Sequence, residues 1–168
     1  MRKTSRAAAP VICVLLGFAS PLLAAGPARE TAHETASPDP AALGRIEIPR
    51  LGLFAPVREG AEGETLRVAV GHIGGTALPG EKGNAGLAAH RNTFFRPLRD
   101  VKVGDQVVVT TAGSAFEYRV ESIAVVDPTD VSVLDPTPKE TLTLVTCYPF
   151  DWVGDAPQRL IVKAARLP

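Results

Sequence analysis

Thr141-Leu142-Thr143-Leu144-Val145-Thr146-Cys147-Tyr148-Pro149-Phe150 is followed, across a loop holding Pro149, Gly154 and Pro157, by Gln158-Arg159-Leu160-Ile161-Val162-Lys163-Ala164. Both runs have strand composition. The connection between them is too rich in turn formers for a helix, so the pair reads as a long hairpin or as neighbouring strands. Alternation decides which side chains meet. Leu142 and Leu144 share one face of the first run, and Thr143, Val145 and Cys147 share the other. In the second run Leu160 and Val162 share a face, with Arg159, Ile161 and Lys163 opposite. If the apolar pairs line one core, Cys147 and Arg159 fall together on the outer side. A thiol at a strand end beside a fixed cation is a candidate nucleophile, because the cation favours thiolate. The competing reading is a small buried core residue, since free cysteine is often buried.

The rest of the chain supplies short strands and turns. Arg45-Ile46-Glu47-Ile48 alternates and stops at Pro49, and Leu51 to Val57 forms a second short strand. Glu64 to Val70 reads as one helical turn or two. Gly71 to Asn84 reads as a long loop with five glycines, and Ala85 to His90 as a small-residue strand ending on histidine. Thr93 to Arg99 is expected to form a short helix. Gln106–Thr111 and Ala115–Ile123 are clear strands joined by Ala112-Gly113-Ser114. Asp127 to Pro138 reads as a long connection. Seven or eight short strands at near-regular spacing predict a barrel or a sandwich.

Fifteen glycines and fifteen prolines among 168 residues suit a turn-rich β fold of one domain. Arg2, Lys3 and Arg6 precede an uncharged stretch from Ala7 to Ala28, and no acid accompanies them. Residues 1–25 therefore read as an N-terminal signal anchor or signal peptide, with the anchor expected. Either form places the domain outside the cytoplasm, on the outer side of the membrane if the span is retained. Residues 26–42 read as a flexible linker, small and polar, in which His33 is a solvated tail residue. The folded domain is expected over residues 43–168. From residue 26 onward 15 basic residues face 18 acidic ones, which does not describe a nucleic-acid surface. Cys13 lies in the apolar segment, so Cys147 reads as a free thiol rather than half of a disulfide.

His90 closes a strand before Arg91-Asn92-Thr93 at a loop mouth, while His72 stands in the glycine-rich loop. No histidine or cysteine spacing matches a structural zinc site, and no phosphate-binding motif is present, so neither metal nor cofactor is expected. The chemistry-bearing residues are then one thiol, one strand-end histidine and one arginine beside the thiol.

Thr143-Leu144-Val145-Thr146-Cys147 followed by Arg159 resembles the signature of the sortases, and Ala88-Ala89-His90-Arg91 resembles their histidine motif. His72 to Gly80, Phe94 to Leu98 and Cys147-Tyr148-Pro149-Phe150 are most similar to class D and related Gram-negative-type sortases. Two positions beside the histidine depart: Ala89 is commonly glycine in the family and Asn92 commonly aspartate. The resemblance implies an all-β fold, an eight-stranded β-barrel with one or two short helices and long loops. It further implies a cysteine transpeptidase that cleaves an LPXTG-like sorting signal between Thr and Gly. The acyl group would pass through a Cys147 thioester to an amine of a peptidoglycan precursor or another protein, anchoring or joining surface proteins. Cys147 would be the nucleophile, His90 the general acid and base, and Arg159 the donor to the substrate carbonyl or oxyanion. His72, Thr146, Tyr148 and Trp152 are the candidate substrate-binding residues; Tyr148 and Trp152 have the alternative role of packing the loop on the barrel. A hydrolytic cysteine peptidase on the same fold and a non-catalytic surface-binding domain are the alternative functions. A cell-wall L,D-transpeptidase would need a Ser-x-Gly-Cys-type signature that the sequence lacks.

Overall fold

The computed structural model describes residues 42–168. The expectations for residues 1–25 and for the linker up to residue 41 lie outside the described residues. Eight strands run in chain order: β1 (Ala42–Ile48), β2 (Leu53–Glu59), β3 (Val70–His72), β4 (Gly83–Ala88), β5 (Gln106–Thr111), β6 (Ala115–Val126), β7 (Glu140–Tyr148) and β8 (Gln158–Arg166). They close into a barrel in the order β1-β2-β3-β4-β7-β8-β6-β5, with β5 pairing back onto β1. The choice between barrel and sandwich is thereby decided. The helical structure among the described residues is one α-helical turn, α1 (Thr65–Val68), and three 3₁₀ turns at Pro49–Leu51, Arg96–Asp100 and Val131–Leu134. Among the described residues no helix is long and apolar enough to cross a membrane.

Alternation fills the barrel. Ile46 and Ile48 of β1, Val107 and Val109 of β5, and Leu142 and Leu144 of β7 point inward and are buried. So do Ala85 and Leu87 of β4 and Leu160, Val162 and Ala164 of β8. Such an interior is a packed core rather than a channel. Ala89 also belongs to this core, so the methyl group that replaces the family's common glycine is accommodated as packing. Two strand pairs are parallel, β2 with β3 and β4 with β7; the others are antiparallel. A parallel pair needs a long crossover. For β2 and β3 the crossover carries α1, and for β4 and β7 it contains β5 and β6.

The structure departs from the sequence reading mainly in one loop. The stretch expected as loop from Gly71 to Asn84 contains the end of β3 and the start of β4. Gly71 is needed there, because a Cβ would stand 2.3 Å from the Gly60 carbonyl oxygen. Gly80 permits another close approach: its φ is +88°, its amide donates to the Tyr118 hydroxyl at 2.9 Å, and a Cβ would meet the Phe116 ring. Burial pushes the Tyr118 hydroxyl up from its ordinary pKa. The helix expected over Thr93–Arg99 is instead a turn followed by the 3₁₀ segment Arg96–Asp100.

That segment is anchored by an ion pair. The Arg50 guanidinium donates to Asp105 Oδ2 at 2.6 Å and to the Asp100 carbonyl at 2.6 Å, while Lys102 N–H donates to Asp105 at 2.9 Å. The hydrogen-bonding Arg50 side chain is the main cause that holds the Asp105 carboxyl below the usual carboxylate range.

Two outcomes follow from this packing. Leu144→Ala should cost about 2–5 kcal/mol in a urea titration with the slope unchanged, the range for truncating a buried leucine. A folded-state pKa below the unfolded one stabilises at neutral pH and ceases to do so as pH falls through the depressed value. Asp105→Asn should therefore lower the melting temperature at pH 7 and shrink the loss of stability as pH falls below the ordinary carboxylate range.

Candidate active site

β7 and β8 pair antiparallel with Leu144 opposite Val162, Thr146 opposite Leu160 and Cys147 opposite Arg159. Directly opposed residues share a face. Leu144, Val162 and Leu160 lie in the core, so Cys147 and Arg159 lie side by side on the outer surface, as alternation predicts. Cys147 is a free, half-buried thiol. Arg159 is also half-buried, and its Nη1 donates to the Gln158 carbonyl at 3.0 Å and the Ala156 carbonyl at 3.2 Å. Both bonds use Nη1, which leaves the Nε and Nη2 donors for an incoming oxygen. Arg159 is opposite Val126 at the end of β6, next to Asp127. The Asp127 carboxyl is held below its ordinary range chiefly by the Thr129 hydroxyl and then its amide; the Arg159 charge contributes less.

His90 arrives on the neighbouring strand. β4 runs parallel to β7 with Leu87 opposite Leu144 and Ala88 opposite Val145. The Ala89 amide donates to the Val145 carbonyl at 3.3 Å, and the Thr146 hydroxyl donates to the Ala89 carbonyl at 2.8 Å. Continued by two residues, the register brings His90 level with Cys147. Alternation from the buried Leu87 and Ala89 places His90 on the outer side. The His90 carbonyl then accepts from the amides of Thr93 and Phe95, and the fully buried Phe95 ties that turn to the core. The backbone thus places the three residues at neighbouring positions on the outer side: Cys147 on β7, Arg159 opposite it on β8, and His90 two residues beyond the end of β4.

Two arginines join the loop after His90 to the loop between β7 and β8. Arg91 Nη2 donates to the carbonyls of Trp152 at 2.8 Å and Gly154 at 3.0 Å. Arg99 Nη2 pairs with Asp151 at 2.7 Å, and its guanidinium carbon lies 5.7 Å from the centre of the Phe150 ring. The loops that flank the thiol are therefore held against each other by planar donors.

The four candidate substrate-binding residues separate. His72 is 3% exposed; its Nδ1 lies 2.8 Å from a Glu59 carboxylate oxygen and its Nε2 2.9 Å from the Ala77 carbonyl oxygen. It pairs with Leu87, on the register side opposite Cys147, His90 and Arg159. Thr146 is 2% exposed and its hydroxyl is bound to Ala89. Both are buried and engaged in internal hydrogen bonds. Tyr148 packs against the core cluster with its ring edge-on to Phe150, the packing alternative. Trp152 is half exposed and lies in the loop that follows Cys147.

Sequence reading passed over Arg91, Asn84 and Thr143. Arg91 stands in the quoted histidine motif and Thr143 opens the quoted thiol motif, but their partners are far away in sequence. Among the described residues no group of three or more His, Cys, Asp or Glu side chains is placed to hold a metal ion. A surface cavity of about 580 Å³ beside Arg50, Pro97 and Lys102 contains none of Cys147, His90 and Arg159.

Comparison with known proteins agrees with this fold. Residues 46–167 match the family model for the sortase domain. The chain is 36% identical over 127 residues to sortase D of Bacillus subtilis, across 75% of this chain and 64% of that protein. It is 40% identical to a sortase of Streptomyces coelicolor across 62% of this chain and 35% of that protein. The match thus spans less than two thirds of the length of either relative. Among solved structures, a Clostridium perfringens sortase D5 transpeptidase superposes with a TM-score of 0.69 and 33% identity, covering 76% of this chain and 79% of that one.

Arg91→Ala removes two inter-loop hydrogen bonds and nothing from the barrel. Amides of residues 150–157 should then exchange roughly 5-fold faster or more, the scale of a net bond near 1 kcal/mol, while β7 and β8 keep their protection. Unchanged exchange in the loop would reject the tie.

Proposed function

The chain belongs to the sortase family, and from that premise we propose that it is a cysteine transpeptidase of exported or surface proteins. The observation that carries the reading is the direct cross-strand pairing of Cys147 with Arg159, beside β4, whose register continued two residues past Ala88 reaches His90. The substrate is an extended sorting signal of LPXTG type. The Cys147 sulfur, as thiolate, attacks the threonine carbonyl carbon, and the carbonyl oxygen takes up the negative charge. Nε or Nη2 of Arg159 donates to that oxygen. The C–N bond to glycine breaks as His90 gives its proton to the departing amine, leaving a thioester on Cys147.

The second half reverses the proton flow. An acceptor amine, from a peptidoglycan precursor or another protein, loses a proton to His90 and attacks the thioester carbon. The C–S bond breaks, the amide forms and Cys147 is regenerated. Trp152 contributes surface to the substrate groove. The apolar segment within residues 1–25, preceded by basic residues, holds or exports the domain so that it works on the extracytoplasmic side. Hydrolysis is the competing outcome, because water can replace the amine at the same thioester.

Peptide turnover with and without an amine acceptor tests the reading. The wild-type protein should give joined product in preference to acid. Arg159→Ala should lose roughly 100-fold or more in turnover, the scale of an oxyanion donor, and Arg159→Lys should recover little of it. A near-normal rate for a folded Arg159→Ala variant would reject the role of Arg159. Hydrolysis alone at saturating acceptor would replace the transpeptidase with a peptidase.

A further inference from the structure

Asn84 is a polar side chain buried on the solvent side of the barrel wall. Alternation from Ala85 and Leu87, which face the core, turns Asn84 outward. It is nevertheless only 2% exposed, because the connection between β6 and β7 crosses over it. Its Nδ2 donates to the Val133 carbonyl at 3.1 Å and to the Asp135 carbonyl at 3.2 Å. Its Oδ1 accepts from the Thr143 hydroxyl at 2.7 Å, and Thr143 is fully buried. Both amide donors and the amide oxygen are therefore used. Two residues along β4, Gly86 leaves room for the same connection: a Cβ there would stand 3.0 Å from Leu134 Cδ2.

The position of that connection gives the contact a functional meaning. It leaves β6 beside Arg159 and rejoins the barrel at β7, three residues before Thr143 and eight before Tyr148. It thus covers the outer surface of β4 at Asn84 and Gly86 and begins beside the residue that pairs with Cys147. A connection of this length has many conformations unless something fixes it. Asn84 fixes its middle from the β4 side, some six residues or roughly 20 Å along the strand from His90.

We propose that Asn84, oriented by Thr143, is a positioning residue that clasps the β6–β7 connection into a preformed wall of the substrate groove. The inference rests on the transpeptidase reading for the identity of the substrate. The clasp governs capture of the peptide and leaves bond cleavage to Cys147, His90 and Arg159, which it does not touch. A preformed wall spares the peptide the entropy of ordering the connection on binding.

The test compares wild-type protein with Asn84→Ala, Asn84→Ser and Thr143→Val, each verified by a cooperative melt. For an LPXTG-like peptide, Asn84→Ala should raise KM about 10-fold with kcat within about 2-fold. Alkylation of Cys147 by iodoacetamide should keep its wild-type rate. Amides of residues 131–136 should exchange faster, while β8 stays protected. Asn84→Ser, should Asn84→Ala fail to fold, must shift KM and exchange in the same direction. Thr143→Val removes only the donor to Oδ1 and should have a smaller effect. Unchanged KM in a folded Asn84 variant, or a fall in kcat at constant KM, overturns the role in capture. Wild-type protein inert towards the peptide overturns the transpeptidase reading instead, and unchanged exchange at residues 131–136 overturns the clasp whatever the peptide result.

Discussion

The register of β7 against its two neighbours is the constraint on which the rest depends. A strand shows alternate residues to alternate faces, so a slip of one residue would send Leu142 and Leu144 to solvent and Cys147 into the core. Burial of those leucines against Leu87 and Val162 fixes the slip at zero. The same pairing puts Cys147 opposite Arg159 and brings His90 level on the other side. The hydrophobic core thereby aligns the reactive groups without using any of them for stability.

Polar side chains then secure what register alone leaves loose at the strand ends. Thr146 points inward, yet its hydroxyl reaches the Ala89 carbonyl and fixes the backbone one residue before the histidine. Arg91 and Arg99 hold the following turn against the loop beyond the thiol. Arg50 and Asp105 anchor the far end of that segment to the barrel. The threonines of the thiol motif have different tasks: Thr146 orders the histidine strand, and Thr143 orders Asn84. The Thr146 and Thr143 bonds join groups that would otherwise be buried without a partner, which makes their loss costly, whereas those of Arg91 and Arg99 are exposed.

Much of this was legible in the sequence, for a physical reason that also marks where legibility ends. Strands β5, β6, β7 and β8 alternate clearly, and the shared face of Cys147 and Arg159 follows from alternation and from which residues are apolar. β3 escaped because Val70-Gly71-His72 is too short to alternate and is held by partners distant in sequence. The parallel pairing of β4 with β7 also leaves no local trace, since two strands and the 3₁₀ segments at Arg96–Asp100 and Val131–Leu134 intervene. His90 was recognisable by motif, but its level beside Cys147 depends on that pairing. His72 and Thr146 drew attention as chemistry-bearing residue types in recognisable motifs, and tertiary structure uses both internally. Asn84 offered no signal, because its partners are 49 and 51 residues away.

The central claim is that Cys147 carries the acyl group of the substrate. Intact-mass spectrometry of the protein mixed with an LPXTG-like peptide, quenched in acid before turnover is complete, tests it most directly. The expected result is a mass increase equal to the peptide's fragment ending at threonine, located on Cys147 by fragmentation, lost on adding hydroxylamine and absent from Cys147→Ala. A peptide cleaved at the same rate by folded Cys147→Ala, or an adduct located on another residue, would contradict it.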